Sequence, residues 1–169
     1  AAGEPYPLLV NNAMIMYPFA RFAAMVLKNE RLALYHNVAL RYLSNVQQTV
    51  DYFSRWYITD GRRGWYIWPD EEFITFPGLE VPHNWNAAMG KVFIALYDAT
   101  ERELYLKQAE AIANAFKDEL EIAPNNSYIW HYWRGTALEQ YKAYEDVSHG
   151  SIDVQFAIMA YQHDIVFDL

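Results

Sequence analysis

The 169-residue chain predicts an all-α fold of helical hairpins, on three observations. Apolar residues recur at helical spacing in successive segments, a short charged turn joins two of those segments, and one arrangement of loop and helix occurs twice. The first copy runs Tyr66-Ile67-Trp68, then Val81-Pro82-His83-Asn84, into a helix ending Ala95-Leu96-Tyr97. The second runs Tyr128-Ile129-Trp130, then Val147-Ser148-His149-Gly150, into one ending Met159-Ala160-Tyr161. The offset of roughly 62 to 66 residues suits two helices plus a long loop. Each copy brings an aromatic loop and a histidine to the start of an apolar helix.

The elements follow in order. Asn11 to Leu27 is apolar enough for a buried helix, with Pro18 either starting its regular part or kinking it. Val38, Tyr42, Val46, Val50, Phe53 and Tyr57 keep helical spacing opposite a polar face, and Thr59-Asp60-Gly61 ends that helix in a turn. Residues from about Gly61 to Pro82 form a long loop rich in aromatics and broken by Pro69, Pro77 and Gly78, with room for short strands at Gly64 to Trp68 and Phe73 to Phe76. A third helix, Trp85 to Thr100, and a fourth, Glu103 to Leu120, meet across Thr100-Glu101-Arg102 as an antiparallel pair. A second long loop, Glu121 to Ser148, turns at Asn125-Asn126-Ser127, and the fifth helix runs from Ser151 to about Gln162. Apolar stripes this wide need neighbours on both sides, so the hairpins are expected to curve into part of an α/α toroid. One domain spanning residues 1–169 results, short of a full ring, which predicts a piece of a larger chain or a homo-oligomer.

Composition narrows the partners. A net charge of −8 with only 13 Lys and Arg spread along the chain argues against nucleic acid. An anionic substrate would need a local holder such as Arg62-Arg63 or Arg134. Cysteine is absent, so disulfides and thiolate metal sites are excluded. Arg21 and Lys28 interrupt the best candidate for a bilayer span, so no membrane is expected. Ala1 is neither an initiator Met nor the start of a signal peptide, as expected of a processed, tagged or excised chain. Six Trp and fourteen Tyr exceed what a helical core of this size needs, and an aromatic rim suits the apolar C–H faces of sugar rings. A polysaccharide or oligosaccharide partner is expected, with Trp65, Trp68, Trp85, Trp130 and Trp133 as its platforms.

The series Pro82-His83-Asn84, Ala87, Gly90, Ala95-Leu96-Tyr97, Ala99-Thr100, Tyr105-Leu106 and Ala109, followed by Glu145-Asp146-Val147-Ser148-His149 and Asp153, resembles α/α-toroid carbohydrate-active enzymes over about Gly64 to Tyr161. Those enzymes include six-hairpin glycoside hydrolases and lyases of uronate polymers such as alginate or glucuronan. The resemblance implies a secreted or periplasmic protein without a cofactor, and a role for His83 and Asn84 in holding the uronate carboxylate while an enolate forms. As ordinary structural residues, Asn84 or Asn86 would cap the helix and His83 would pack behind Pro82.

Tyr132 is the candidate base and acid, provided a cation such as Arg134 lowers its pKa; His131 is its rival, and plain aromatic stacking is the alternative role. His149 and Asp153 are four residues apart, so on a helix Asp153 could orient the imidazole, either for catalysis or as a buried structural pair. His83, His149 and Asp153 lack the spacing of a metal site, and no metal is expected. Hydrolysis would instead need a carboxyl pair, available from Asp70-Glu71-Glu72 and from Glu145-Asp146. A noncatalytic glycan-binding module would need the aromatic rim alone.

Overall fold

The computed structural model describes residues 6–71, 74–135 and 143–168. Among these residues the fold is mostly helical, with five α-helices and four short strands. Helix α1 (Leu9–Leu27) runs through Pro18, whose missing N–H costs one intrahelical bond. A 3-10 turn, Glu30–Tyr35, is started by the Asn29 side chain accepting from the Arg31 N–H, and α2 (His36–Phe53) follows. Ala39, Leu43, Val46, Val50 and Phe53 form its buried stripe against α1.

Strand β1 (Tyr57–Thr59) pairs antiparallel with β2 (Gly64–Tyr66), Tyr57 opposite Tyr66. Of the expected strand Gly64 to Trp68, Gly64–Tyr66 forms, and its partner begins at Tyr57, which the spacing had placed at the end of a helix. Gly61 takes a left-handed φ of 97° at the turn between them. Phe73, part of the other expected strand, lies outside the described residues, as does Glu72.

Helix α3 (His83–Thr100) and α4 (Glu103–Lys117) form a tight hairpin in which Glu101 adopts φ 56°. Strands β3 (Glu121–Ile122) and β4 (Tyr128–Ile129) then pair around the Asn125-Asn126-Ser127 turn. Helix α5 (Val147–Gln162) begins four residues before the expected Ser151 because Asp146 caps it, accepting from the Ser148 and His149 N–H groups.

Three helices run side by side in one direction. Lys91 lies over the Tyr17 ring and Arg21 pairs with Asp98 at 2.7 Å, which sets α1 parallel to α3. Lys91 donates to Gln155 at 2.7 Å and Asp98 meets His163 at 2.9 Å, which sets α5 parallel to α3. Helix α2 packs antiparallel on α1, and α4 on α3. With α1, α4 and α5 all against it, α3 is buried from His83 to Leu96.

The closest approach in this packing is at Gly90. A Cβ there would overlap the Phe156 ring of α5, whose relative exposure is 0% and which has nowhere to go. Gly90→Ala is therefore expected to lower stability by about 1–3 kcal/mol, overpacking outweighing the roughly 1 kcal/mol by which a helix prefers Ala. Chemical denaturation measures the loss.

The two long loops are built alike. In the first, Val81 donates to the Tyr66 carbonyl and Ile67 bridges to Glu80; in the second, Glu145 donates to the Trp130 carbonyl and His131 bridges to Tyr144. Each loop is thereby zipped at its base before delivering the chain to a helix. Because α3 and α5 are parallel, both helices start at one end of the molecule. The Tyr132 carbonyl joins the two starts by accepting from the His83 N–H at 3.1 Å.

Candidate functional site

At this end the side chains divide into a buried ionic knot around α3 and a more open mouth at α5. The knot has Arg134 at its centre. Its Nη1 lies 2.5 Å from Glu80 and its Nε 3.5 Å from Glu119, while the guanidinium sits 4.0 Å above the Trp65 ring. Glu119 also meets His83 Nε2 at 3.2 Å and accepts from the Gly135 N–H at 3.0 Å. Burial pushes the Glu119 carboxyl up, but the His83 hydrogen bond, His83 charge, Gly135 and Arg134 outweigh it and hold the group below the usual range.

These contacts correct two expectations. Arg134 is not a free holder of substrate carboxylate, being buried and shared between two acids. Nor does it lower the Tyr132 pKa: burial, and then the Glu145 charge, raise that phenol, against a hydrogen bond from Trp85. Arg62 and Arg63 are likewise engaged, Arg62 by Asp118 and Asn114, and Arg63 by Asp60 and Asp118.

Asn84 and Asn86 are both buried in α3, and neither caps it. Asn86 is a clamp that accepts from the Tyr66 N–H at 2.8 Å and donates to the Val81 and Pro82 carbonyls. Asn84 keeps a buried carbonyl oxygen with no donor among the described residues. His83 is buried as well, so neither side chain stands on an open rim.

The tryptophans divide the same way. Trp85 is buried against Trp68, at 4.6 Å between ring centroids, and so belongs to the core. Trp65 is covered by Arg134, and Trp133 leans on Phe76 at 5.0 Å. Trp130 lines a cleft of about 510 Å³ with Tyr128, Tyr144, Glu145, Ser151 and Gln155, and Trp133 lines a more polar one of about 360 Å³ with Glu119, Glu121 and His131. The sequence reading named Tyr128 only as part of the repeat and did not name Tyr144, although both stand in the second aromatic loop.

At the mouth, His149 is 46% exposed through its side chain and its Nδ1 lies 2.6 Å from Asp146 Oδ2. Asp146 is held well below the usual carboxylate range, first by the Ser148 hydroxyl and then by the His149 backbone and ring. A carboxylate so held can only accept, so in the neutral imidazole Nδ1 carries the proton and Nε2 is bare. The Tyr132 ring lies 5.3 Å from the His149 ring. His131 faces elsewhere, stacked on Tyr144 and 3.7 Å from Glu121. The ligand atoms of Glu145, Asp146 and His149 lie within 4.8 Å of one another, near enough to share a cation, although capping accounts for the arrangement by itself.

Asp153 is not the partner of His149. It is fully buried and accepts from the Trp130 indole N–H at 3.0 Å, beneath the loop. Its other neighbour is Glu145, whose side chain is only 3% exposed, and Asp153 Oδ1 and Glu145 Oε2 are both buried without another hydrogen-bond donor among the described residues. Two neighbouring buried carboxyls resist carrying two charges, and a proton shared between them relieves the repulsion. Burial, then the Glu145 charge, pushes Asp153 up to about 8, and burial raises Glu145 as well. Asp70 and Glu71 are exposed in the first loop.

Because the folded pKa of Asp153 lies above its unfolded value, the native state holds the extra proton between about pH 4 and 8. Stability should fall as pH rises through that window, with a slope approaching 1.4 kcal/mol per unit, and then level off. Asp153→Asn should flatten this dependence, since the amide can still accept from Trp130 and donate to Glu145. Denaturation of both proteins at several pH values from 5 to 9 is the check, and parallel profiles would refute it.

No family model, no curated protein and no solved structure matches this chain.

Proposed function

We propose that the chain is part of an α/α toroid and acts on a uronate-containing polysaccharide by β-elimination. The architecture supports a toroid through three parallel inner helices backed by two outer ones, with both aromatic loops at one end. The observation that carries the chemistry is the pairing of Tyr132 with His149 beside the Trp130 cleft, with Asp146 fixing the imidazole.

The division of labour follows from the two environments. His149, with Nε2 bare, takes the C5 proton; the electron pair moves toward the uronate carboxyl and then forms the C4–C5 double bond as the C4–O bond breaks. Tyr132, its phenol raised and therefore protonated at neutral pH, supplies the proton to the leaving oxygen. Of the two roles expected of Tyr132, base and acid, this reading keeps the acid and gives the base to His149. Sugar faces would rest on Trp130, Tyr128 and Tyr144.

A glycoside hydrolase is the second reading, favoured by the raised Glu145 carboxyl, which suits a general acid. The deep burial of its side chain against Asp153 weighs against it. Incubation with alginate, glucuronan and neutral glycans separates the two. Elimination produces the near-ultraviolet absorbance of an unsaturated uronate, whereas reducing ends without that absorbance would replace the lyase by a hydrolase. Binding with neither product would leave a glycan-binding module.

A further inference from the structure

Lys91 sits in the middle of α3, 3% exposed, between two parallel neighbours. From α1 the Tyr17 ring covers its Nζ at 4.7 Å, and from α5 the Gln155 oxygen accepts from it at 2.7 Å. Among the described residues no carboxylate pairs with this cation. Burial disfavours the ammonium and lowers its pKa, a cost that an anion beside it would offset.

Gln155 links this charge to the cleft beside Trp130, which it lines with Ser151. An ammonium can only donate, so Gln155 gives Lys91 its oxygen and turns its NH₂ away, where it has no acceptor among the described residues. The ammonium also draws electrons toward the amide oxygen and makes that NH₂ a stronger donor. The cleft itself is lined by Glu145 and Asp146 and, among the described residues, by no Lys or Arg. Arg62, Arg63 and Arg134 are already held by acids. An anionic polymer lying here would therefore meet positive charge at Gln155, through Lys91.

We propose that Gln155, oriented and polarised by Lys91, binds the carboxylate of a uronate next to the reacting one and so selects an anionic polymer; this rests on the uronate reading above. Gln155 follows His149 by six residues, roughly 9 Å along α5 at about 1.5 Å per residue, which places it at a neighbouring sugar and not at the reacting atoms. Its role is therefore specificity, with Lys91 as its positioning residue.

Titration calorimetry tests this in the His149→Ala background, which slows turnover, with alginate and glucuronan oligomers and a neutral glucan oligomer of equal length. Gln155→Glu removes the donor and gives Lys91 a counter-ion, Lys91→Met removes the charge at similar bulk, and urea denaturation verifies that both fold. Each should bind the uronate oligomers roughly ten- to hundredfold more weakly, the worth of a hydrogen bond to a charged group, and the neutral oligomer as before. Leu40→Glu, at a 51% exposed site on α2, adds a charge away from the cleft and should bind as its parent does. Uronate binding undiminished in Gln155→Glu or Lys91→Met, an equal loss on the neutral oligomer, or an equal loss in Leu40→Glu would overturn the proposal. Kinetics with His149 intact separate it from the elimination, since the Gln155→Glu loss should fall on KM. Elimination with KM unchanged in Gln155→Glu would overturn the role of Gln155 and leave the lyase. Selective uronate binding that Gln155→Glu abolishes, with no unsaturated product from wild type, would overturn the lyase and keep Gln155.

Discussion

Replacing His149 by Ala is expected to lower turnover on a uronate polymer by about 10²–10⁴-fold, the range a positioned general base contributes. Binding should change little, because the aromatic cleft is formed by Trp130, Tyr128 and Tyr144 and not by the imidazole. Tyr132→Phe should lower turnover by a similar factor, since it removes the hydroxyl and keeps the ring. The two changes act on one proton circuit, so the double variant should be little worse than either single one. Asp146→Asn should also reduce turnover, because an amide can donate to Nδ1 and so favour the wrong tautomer; it keeps an oxygen to cap α5. Steady-state kinetics that split kcat from KM read all four. Loss confined to KM would make His149 a binding residue.

A second large effect is expected at the ionic knot. Arg134→Ala would leave Glu80 and Glu119 facing each other in a partly buried site with one cation fewer, and removal of one partner from a buried pair costs about 3–5 kcal/mol. The packing of the guanidinium on Trp65 is lost with it. Arg134→Met, which retains bulk over Trp65, should still be strongly destabilised, because the two carboxylates remain. Adding Glu80→Gln to Arg134→Met should recover part of the loss by removing one of those charges. Urea denaturation of the three proteins measures this, and an Arg134→Ala variant as stable as wild type would show that the knot contributes nothing net.

Much of the helical layout could be read from the sequence because it depends on local pattern. The stripe Val46, Val50, Phe53 marks α2 without help from other segments, and the short Thr100-Glu101-Arg102 turn dictates that α3 and α4 lie antiparallel. The doubled loop-histidine-helix order likewise brings both loops to one end. What the local pattern lacked was partner choice. Arg134 draws its acids from residues 54 and 15 positions earlier, Glu80 and Glu119, a pairing that no spacing rule contains.

Asp153 shows the limit of helical spacing in another way. Four residues do place it on the same side of α5 as His149, but side-chain direction decides the contact. His149, in the first turn, folds back to the capping Asp146, while Asp153, one turn deeper, lies under the Trp130 indole. The capping signal itself was present in Asp146-Val147-Ser148, where the sequence reading saw only a carboxyl for chemistry. Lys91 was missed because a lysine inside an apolar helix looks like a solvated charge, yet it is buried against Gln155 and Tyr17, and burial lowers its pKa.

The proposed elimination depends on His149 presenting a bare Nε2 while Asp146 holds the proton on Nδ1. Two-dimensional ¹H–¹⁵N NMR of the histidine side chains, at a pH where the imidazole is neutral, reads that tautomer directly. The expected spectrum shows His149 protonated at Nδ1 with an unprotonated Nε2, and the Asp146→Asn variant shifted toward the other form. A neutral His149 protonated at Nε2 in the wild-type protein would contradict its assignment as the base.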